Sequence, residues 1–192
     1  ALIEYPETSD EDLLEIIPGP DFPTGGVIFG TQGPREASLT GRGRIRVRGV
    51  AELETDEHGD EKAIIITEIP YQVNKARLVE NIAALVRHKK IDGIRDLRDE
   101  SDRTGMRIGV DLKKGAEPEV VINQLYQFTP LQSTFSIINI ALVRGQPRTL
   151  SLKELLQYFI EHRIEVIRRR TAYRLRQAQQ EAHRIEGLIY AV

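Results

Sequence analysis

No cysteine occurs in the 192 residues, which excludes a disulfide framework and any thiolate-bound metal. The four histidines, His58, His88, His162 and His183, never share a helical face, so paired imidazole ligands are excluded as well. Gly25, Gly26, Gly30 and Gly33 form neither GxGxxG nor GxxxxGK, which removes a phosphate-cradling loop and with it a nucleotide site. No serine or histidine stands in a nucleophile-elbow context. No apolar run approaches the roughly 20 residues of a membrane span. The chain starts at Ala1, without methionine or a basic-then-apolar leader, and these features together predict an excised piece of a cytoplasmic protein with no membrane contact.

Charge is nearly balanced, at -2, but unevenly placed. Glu4, Glu7, Asp10, Glu11, Asp12 and Glu15 precede Pro18-Gly19-Pro20, and residues 1–20 contain no base. The rest of the chain is therefore mildly basic, which permits a nucleic-acid partner without requiring one.

Hydrophobic alternation and turn residues predict strands at 27–30, 44–53 and 63–69, the last two forming a hairpin around Asp56-Glu57-His58-Gly59-Asp60. Asn74 is placed to cap a helix whose apolar face is Ala76, Val79, Ile82, Ala83 and Val86. Strands at 91–97 and 106–112 flank a polar turn at 99–105, a helix covers 117–127, and 134–143 reads as a buried strand or strand pair. The expected fold is α+β: a mostly antiparallel sheet with helices packed on one face, followed by a long coiled-coil helix. Residues 1–20 form an acidic lead-in, 21–150 the α/β domain, and 151–192 the start of the long helix.

That helix opens at Ser151, with Glu154 completing a capping box. From it, Ile160, Ile164, Ile167, Thr171, Leu175, Ala178, Ala182, Ile185, Ile189 and Val192 recur at steps of three and four. Such a narrow stripe needs a helical partner, and it predicts a coiled-coil interface at Ile164, Ile167, Leu175, Ala178, Ala182, Ile185 and Ile189. Arg163, Arg168, Arg169, Arg170, Arg174 and Arg176 surround it, either as solvated flanks or facing a ligand.

The most pointed local pattern is Thr40-Gly41-Arg42-Gly43-Arg44-Ile45-Arg46-Val47-Arg48. On a strand, Arg42, Arg44, Arg46 and Arg48 project to one side while Ile45 and Val47 enter the core. Same-face residues lie about 6.6 to 7 Å apart, close to the spacing of phosphates along one nucleic-acid strand, and each guanidinium can grip phosphate through a fork of donors. A second reading pairs these arginines with Glu52, Glu54 or Glu68 on a neighbouring strand. Asp96, Asp99, Glu100 and Asp102 could hold a divalent ion, but Arg95, Arg98 and Arg103 are interleaved, so a salt-bridged turn is expected and no metal is assigned. The six tyrosines read mostly as core or interface residues.

Several segments resemble, in order and spacing over nearly the whole chain, the breakage-reunion subunit of bacterial type IIA topoisomerases. They are Pro18-Gly19-Pro20-Asp21-Phe22-Pro23-Thr24, Thr40-Gly41-Arg42-Gly43, Glu68-Ile69-Pro70-Tyr71-Gln72-Val73-Asn74-Lys75-Ala76, Arg98-Asp99-Glu100-Ser101-Asp102 and Arg169-Arg170-Thr171. Residues 68–78 with Gly105-Met106-Arg107-Ile108 are more similar to the A subunit of DNA gyrase than to that of topoisomerase IV. The match falls on the tower domain and the start of the coiled coil.

The resemblance implies a part of an ATP-dependent enzyme that cuts and reseals duplex DNA. The partners it implies are double-stranded DNA, a second A subunit and a gyrase B subunit, in an A2B2 assembly. Magnesium and ATP would be bound by the B subunit; this chain would bind no cofactor. The family's nucleophilic tyrosine follows an arginine, whereas Tyr5, Tyr71, Tyr126, Tyr158, Tyr173 and Tyr190 follow Glu, Pro, Leu, Gln, Ala and Ile. No catalytic residue is assigned, and the fragment alone should bind DNA and not cleave it. The tower supports the arms of the bent duplex through backbone contacts, which suits Arg42, Arg44, Arg46 and Arg48. Lys75 and Arg77, at the positive end of the Asn74-capped helix, are a further pair suited to phosphate. No family motif assigns either set to DNA. A topoisomerase IV fragment and a non-catalytic coiled-coil interaction module remain the other readings.

Overall fold

Reciprocal bonds between Ser9 and Asp12 cap a short helix, α1 (Asp10–Ile16), within the acidic lead-in. Along the chain follow β1 (Val27–Phe29), α2 (Gln32–Thr40), β2 (Arg42–Arg48), β3 (Val50–Thr55), β4 (Glu61–Glu68), α3 (Lys75–Arg87), β5 (Ile94–Asp99), β6 (Ile108–Leu112), α4 (Pro118–Phe128), β7 (Gln132–Ile138), β8 (Ile140–Val143), β9 (Gln146–Thr149) and α5 (Leu152–Ala191). The structure, a computed structural model, describes residues 1–55 and 61–191, with the side chains of Glu61 and Lys62 also outside the description. The expected turn at 56–60 lies outside the described residues.

All strand pairing is antiparallel and falls into three sheets: β1-β2-β7, β3-β4-β6-β5 and the β8-β9 hairpin. The expected α+β architecture holds. The main core lies on one face of the four-stranded sheet, where Ile64, Ile66, Ile108 and Val110 meet Leu78 and Ile82 of α3 and Val121 and Leu125 of α4. Ile64 stands opposite Val110 and Ile66 opposite Ile108, so every second residue of two central strands feeds the same layer. On α3 the buried residues are Leu78 and Ile82, while Ala76 is exposed. Val79, Ala83 and Val86 of the expected stripe are half-buried, so the stripe stands except that Leu78 takes the place of Ala76, because a leucine buries far more apolar area than an alanine can.

The expected single strand at 44–53 is two strands in different sheets. β2 pairs with β1 and β7, β3 pairs with β4, and the break is at Gly49. The Gly49 amide donates to the Leu131 carbonyl (2.8 Å) and its own carbonyl accepts from the Tyr126 hydroxyl (2.9 Å). A Cβ at this position would run into the backbone oxygen of Glu68 and sit 2.6 Å from Leu131 Cδ1. Only glycine lets three backbone segments meet there. The hairpin expected with residues 63–69 forms from the second half of the segment alone.

Residues 134–143 likewise divide, at Asn139, whose amide donates to the Gly41 carbonyl and whose carbonyl accepts from Leu150. The poor alternation there has a physical cause other than burial on both faces: Ile138, Ile140 and Leu142 all project outward and are 55 %, 62 % and 74 % exposed. Two helices and a strand, α1, α2 and β9, lie where no element was expected. Both α1 and α2 are short, and neither β9 nor the lead-in carries an apolar period.

The Gly49 junction yields a stability test. Gly49→Ala should lower the urea midpoint with an unchanged denaturant slope, at a cost of about 1–3 kcal/mol from overpacking against groups that cannot rotate away. A neutral substitution would show that the two sheets part without penalty and that this contact is not a constraint.

Candidate nucleic-acid interface

The inner face of the three-stranded sheet is closed by α2. Ile45 and Val47 are 2 % and 1 % exposed there, and a Cβ on Gly43 would come within 2.8 Å of Ala37 Cβ, so the helix lies directly on the strand. With its apolar residues committed to α2, β2 must turn Arg42, Arg44, Arg46 and Arg48 to the opposite face. Arg42, Arg44 and Arg46 are exposed and Arg48 is half-buried.

Their cross-strand neighbours carry no charge. Ile138, Ser136, Thr134 and Gln132 of β7 stand opposite the four arginines in turn, and Phe29 and Val27 of β1 stand opposite Arg46 and Arg48. Among the described residues no carboxylate pairs with any of the four. Of the acids considered as partners, Glu54 binds Arg107 at 2.8 Å, and Glu68 accepts from the Gly26 amide. The ion-pair ladder of the second reading is therefore absent from the described residues: β3 and β4, which carry those acids, belong to the other sheet.

Arg48 is held from three sides. Its Nε donates to Gln132 Oε1 at 2.7 Å, and its guanidinium lies 3.8 Å from the centre of the Phe29 ring and 4.8 Å from that of Tyr126. Arg46 approaches the same Phe29 ring at 5.1 Å. Burial pushes the Tyr126 phenol above its ordinary pKa, and the neighbouring charge of Arg48 partly offsets this. Phe29, Tyr126 and Gln132 were not among the expected site residues. The pairing that assembles them spans 84 residues in the case of Gln132, and no local pattern carries it.

The second basic pair lies elsewhere. Lys75 and Arg77 open α3 on the four-stranded sheet, and Lys75 Nζ is already engaged, 2.7 Å from one oxygen of Asp99 and 3.0 Å from the other. Arg77 is exposed, but its backbone amide donates to Asn74 Oδ1 at 3.1 Å, so the cap occupies one of the donors a phosphate would use.

The acidic stretch is salt-bridged as expected only in part: among the described residues Asp96, Asp102 and Arg103 make no ion pair, and the arginines reach mostly outside the turn. Arg98 reaches Glu100 and Asp111, Arg95 also reaches Asp111, and Arg107 joins Glu100 to Glu54. Among the described residues no cluster of three or more histidine or acid side chains is arranged for a metal. A depression of about 640 Å³ beside β1 has Asp21 as its single ionisable lining residue and offers no acid-base pair.

Ser151 and Glu154 make the expected reciprocal cap at the start of α5. No residue of α5 is buried, and Ile164, Ile167, Leu175, Ala178, Ala182, Ile185 and Ile189 are all exposed, so among the described residues nothing covers the stripe. The arginines along it are exposed too, with Arg169 reaching Glu165 at 3.5 Å. Of the tyrosines, Tyr71 stacks on Phe22 at 5.6 Å, whereas Tyr5, Tyr173 and Tyr190 are 69 %, 54 % and 90 % exposed and are not core residues. No tyrosine has a histidine or carboxylate bonded to its hydroxyl among the described residues. What the outer face of β2 can do is hold a polyanion.

Residues 1–192 match the family of the DNA gyrase/topoisomerase IV A subunit. Over the whole chain the sequence is 56 % identical to a DNA gyrase A subunit of Synechocystis sp., 55 % to one of Halalkalibacterium halodurans and 53 % to one of Pseudomonas aeruginosa. It covers 23 %, 23 % and 21 % of those proteins, so the chain spans less than a quarter of the length of these curated relatives.

The acidic turn supplies a test that needs no ligand. Bonds from Lys75 and then Ser101 hold the Asp99 carboxyl down at about 2, against an ordinary 3.8. A depressed folded-state value stabilises the protein above pH 3.8, and that contribution is lost as pH falls from 3.8 through about 2. In a carboxyl-carbon NMR titration, Lys75→Ala should move the Asp99 midpoint up toward 3.8. An unmoved midpoint would mean that the Lys75 contact does not form in solution.

Proposed function

The chain belongs to the family of the DNA gyrase/topoisomerase IV A subunit, and from that premise we propose that it is the tower-like part of a gyrase A subunit, binding the gate duplex through its sugar-phosphate backbone. The observation that carries this reading is the outer face of β2: Arg42, Arg44 and Arg46 are exposed in a row, with serine, threonine and isoleucine across from them on β7, and no acid among the described residues neutralises them. Like charges so aligned repel one another, and an anionic ligand removes the repulsion. Backbone contact fits because guanidinium forks on alternate strand residues can follow consecutive phosphates, while a strand laid on phosphates reads few base edges.

In this reading the parent is an ATP-dependent type IIA topoisomerase whose B subunit supplies the ATP and magnesium chemistry. The chain itself positions DNA and holds no nucleophile. Its partners are duplex DNA, a second A subunit and a B subunit, and the exposed stripe of α5 is the coiled-coil interface. The gyrase assignment is preferred to topoisomerase IV because the similar proteins named above are gyrase subunits.

Two outcomes test the proposal. In the full-length subunit, replacing Arg42, Arg44 and Arg46 together by alanine should flatten the slope of log affinity against log salt by up to about 3, since each phosphate neutralised contributes about 0.9. All duplex sequences should weaken alike. An unchanged slope and affinity with the fold intact would move the DNA contact elsewhere. Separately, this 192-residue chain mixed with a B subunit, magnesium and ATP should leave supercoiled DNA uncut. Recovery of DNA covalently joined to any of its six tyrosines would overturn the non-catalytic assignment.

A further inference from the structure

We propose that Phe29 is a positioning residue for the arginine row, locking Arg46 and Arg48 at the separation and orientation in which they meet a nucleic-acid backbone. The inference rests on the reading of this face as the DNA-binding surface. A phenylalanine 45 % exposed on a three-residue edge strand adds little to any core. Its ring instead draws two cations to itself, Arg48 at 3.8 Å and Arg46 at 5.1 Å from the centroid. Two guanidiniums next to each other repel, and the negative face of an aromatic ring is one of the few uncharged groups that offsets this.

Arg48 is the fixed member of the set. Tyr126 covers it at 4.8 Å, its Nε is committed to Gln132, and Tyr126 is itself tied through its hydroxyl to the carbonyl of Gly49. Phe29 therefore leans on an anchored guanidinium, diagonal to it on β2, and offers the same ring to Arg46, directly opposite. An arginine free in solvent samples many rotamers and must give them up on binding phosphate. One already stacked has given up most of them before the ligand arrives.

This role separates cleanly from charge. Removing Phe29 removes no cation, so the number of phosphates neutralised, and hence the salt dependence, stays as it was while affinity falls. The measurement is binding of a mixed-sequence DNA duplex to the full-length subunit, titrated between about 50 and 200 mM salt. Phe29→Leu keeps apolar bulk and loses the ring; it should weaken binding by about three- to tenfold with an unchanged salt slope. Phe29→Trp keeps a ring face and should bind within about twofold of the native chain. The inference is overturned if Phe29→Leu binds as the native chain does, if its slope falls as an arginine substitution's would, or if tryptophan fails to rescue. If the triple arginine substitution above is also without effect, the surface reading fails and this inference with it; if that substitution acts and Phe29→Leu does not, only the positioning role falls.

Discussion

Gly49 is the point through which the two sheets and the arginine face depend on one another. Its amide and carbonyl are both spent on long-range partners, Leu131 and Tyr126, and the Glu68 backbone closes the space a side chain would need. The contact sets where β2 ends and β3 begins. It also fixes Tyr126, the ring under Arg48, so the main core and the outer arginines share one anchoring residue. A change that loosens α4 would therefore reach Arg48 through Tyr126 before it reached any exposed arginine.

Charge on this molecule divides into two populations. On the four-stranded sheet Lys75, Arg95, Arg98, Arg107 and Lys113 each contact a carboxylate; the exposed pairs contribute little stability beyond fixing side chains in place, whereas the buried Asp111 depends on Arg95 and Arg98 to balance its charge. On the three-stranded sheet the arginines face rings, hydroxyls and an amide instead. Cation–π contacts and neutral acceptors orient a guanidinium without neutralising it. The difference is chemical: an arginine paired with a carboxylate has its charge offset, whereas one oriented by a ring or an amide keeps its full charge and most of its donors.

What was legible in the sequence was what local periodicity carries. The alternation that buries Ile45 and Val47 and exposes Arg42, Arg44 and Arg46, the Asn74 cap of α3, the Ser151–Glu154 cap of α5 and the Arg98–Glu100 pair beside Asp99 all stand as read. What was not legible depended on distant chain. Gly49 is the one local sign of a break in the strand, but the obstruction that makes it necessary comes from Glu68 and Leu131, far away in the chain. The choice between an ion-pair ladder and a bare arginine row turned on which strands flank β2, and those are β1 and β7 rather than the acidic β3 and β4. Likewise Phe29 and Tyr126 mean nothing to residues 42–48 until the sheet forms.

The long helix is joined to the arginine strand by a short mechanical route. α2 packs on β2 with one face and touches the start of α5 with another, while α1 bears on both helices and is held to α2 by Glu11 and Arg35. Leu13 of α1 and Leu150 just before α5 are each 4 % exposed. The acidic lead-in thus acts as a wedge at the root of α5. A helix of 40 residues, about 60 Å long at 1.5 Å per residue, is a long lever on so small a root. Beyond its half-buried first turns the helix is exposed, and the described chain covers nothing from Ile167 onward. At its root α5 meets α2, and α2 is the layer whose packing on β2 turns the arginines outward.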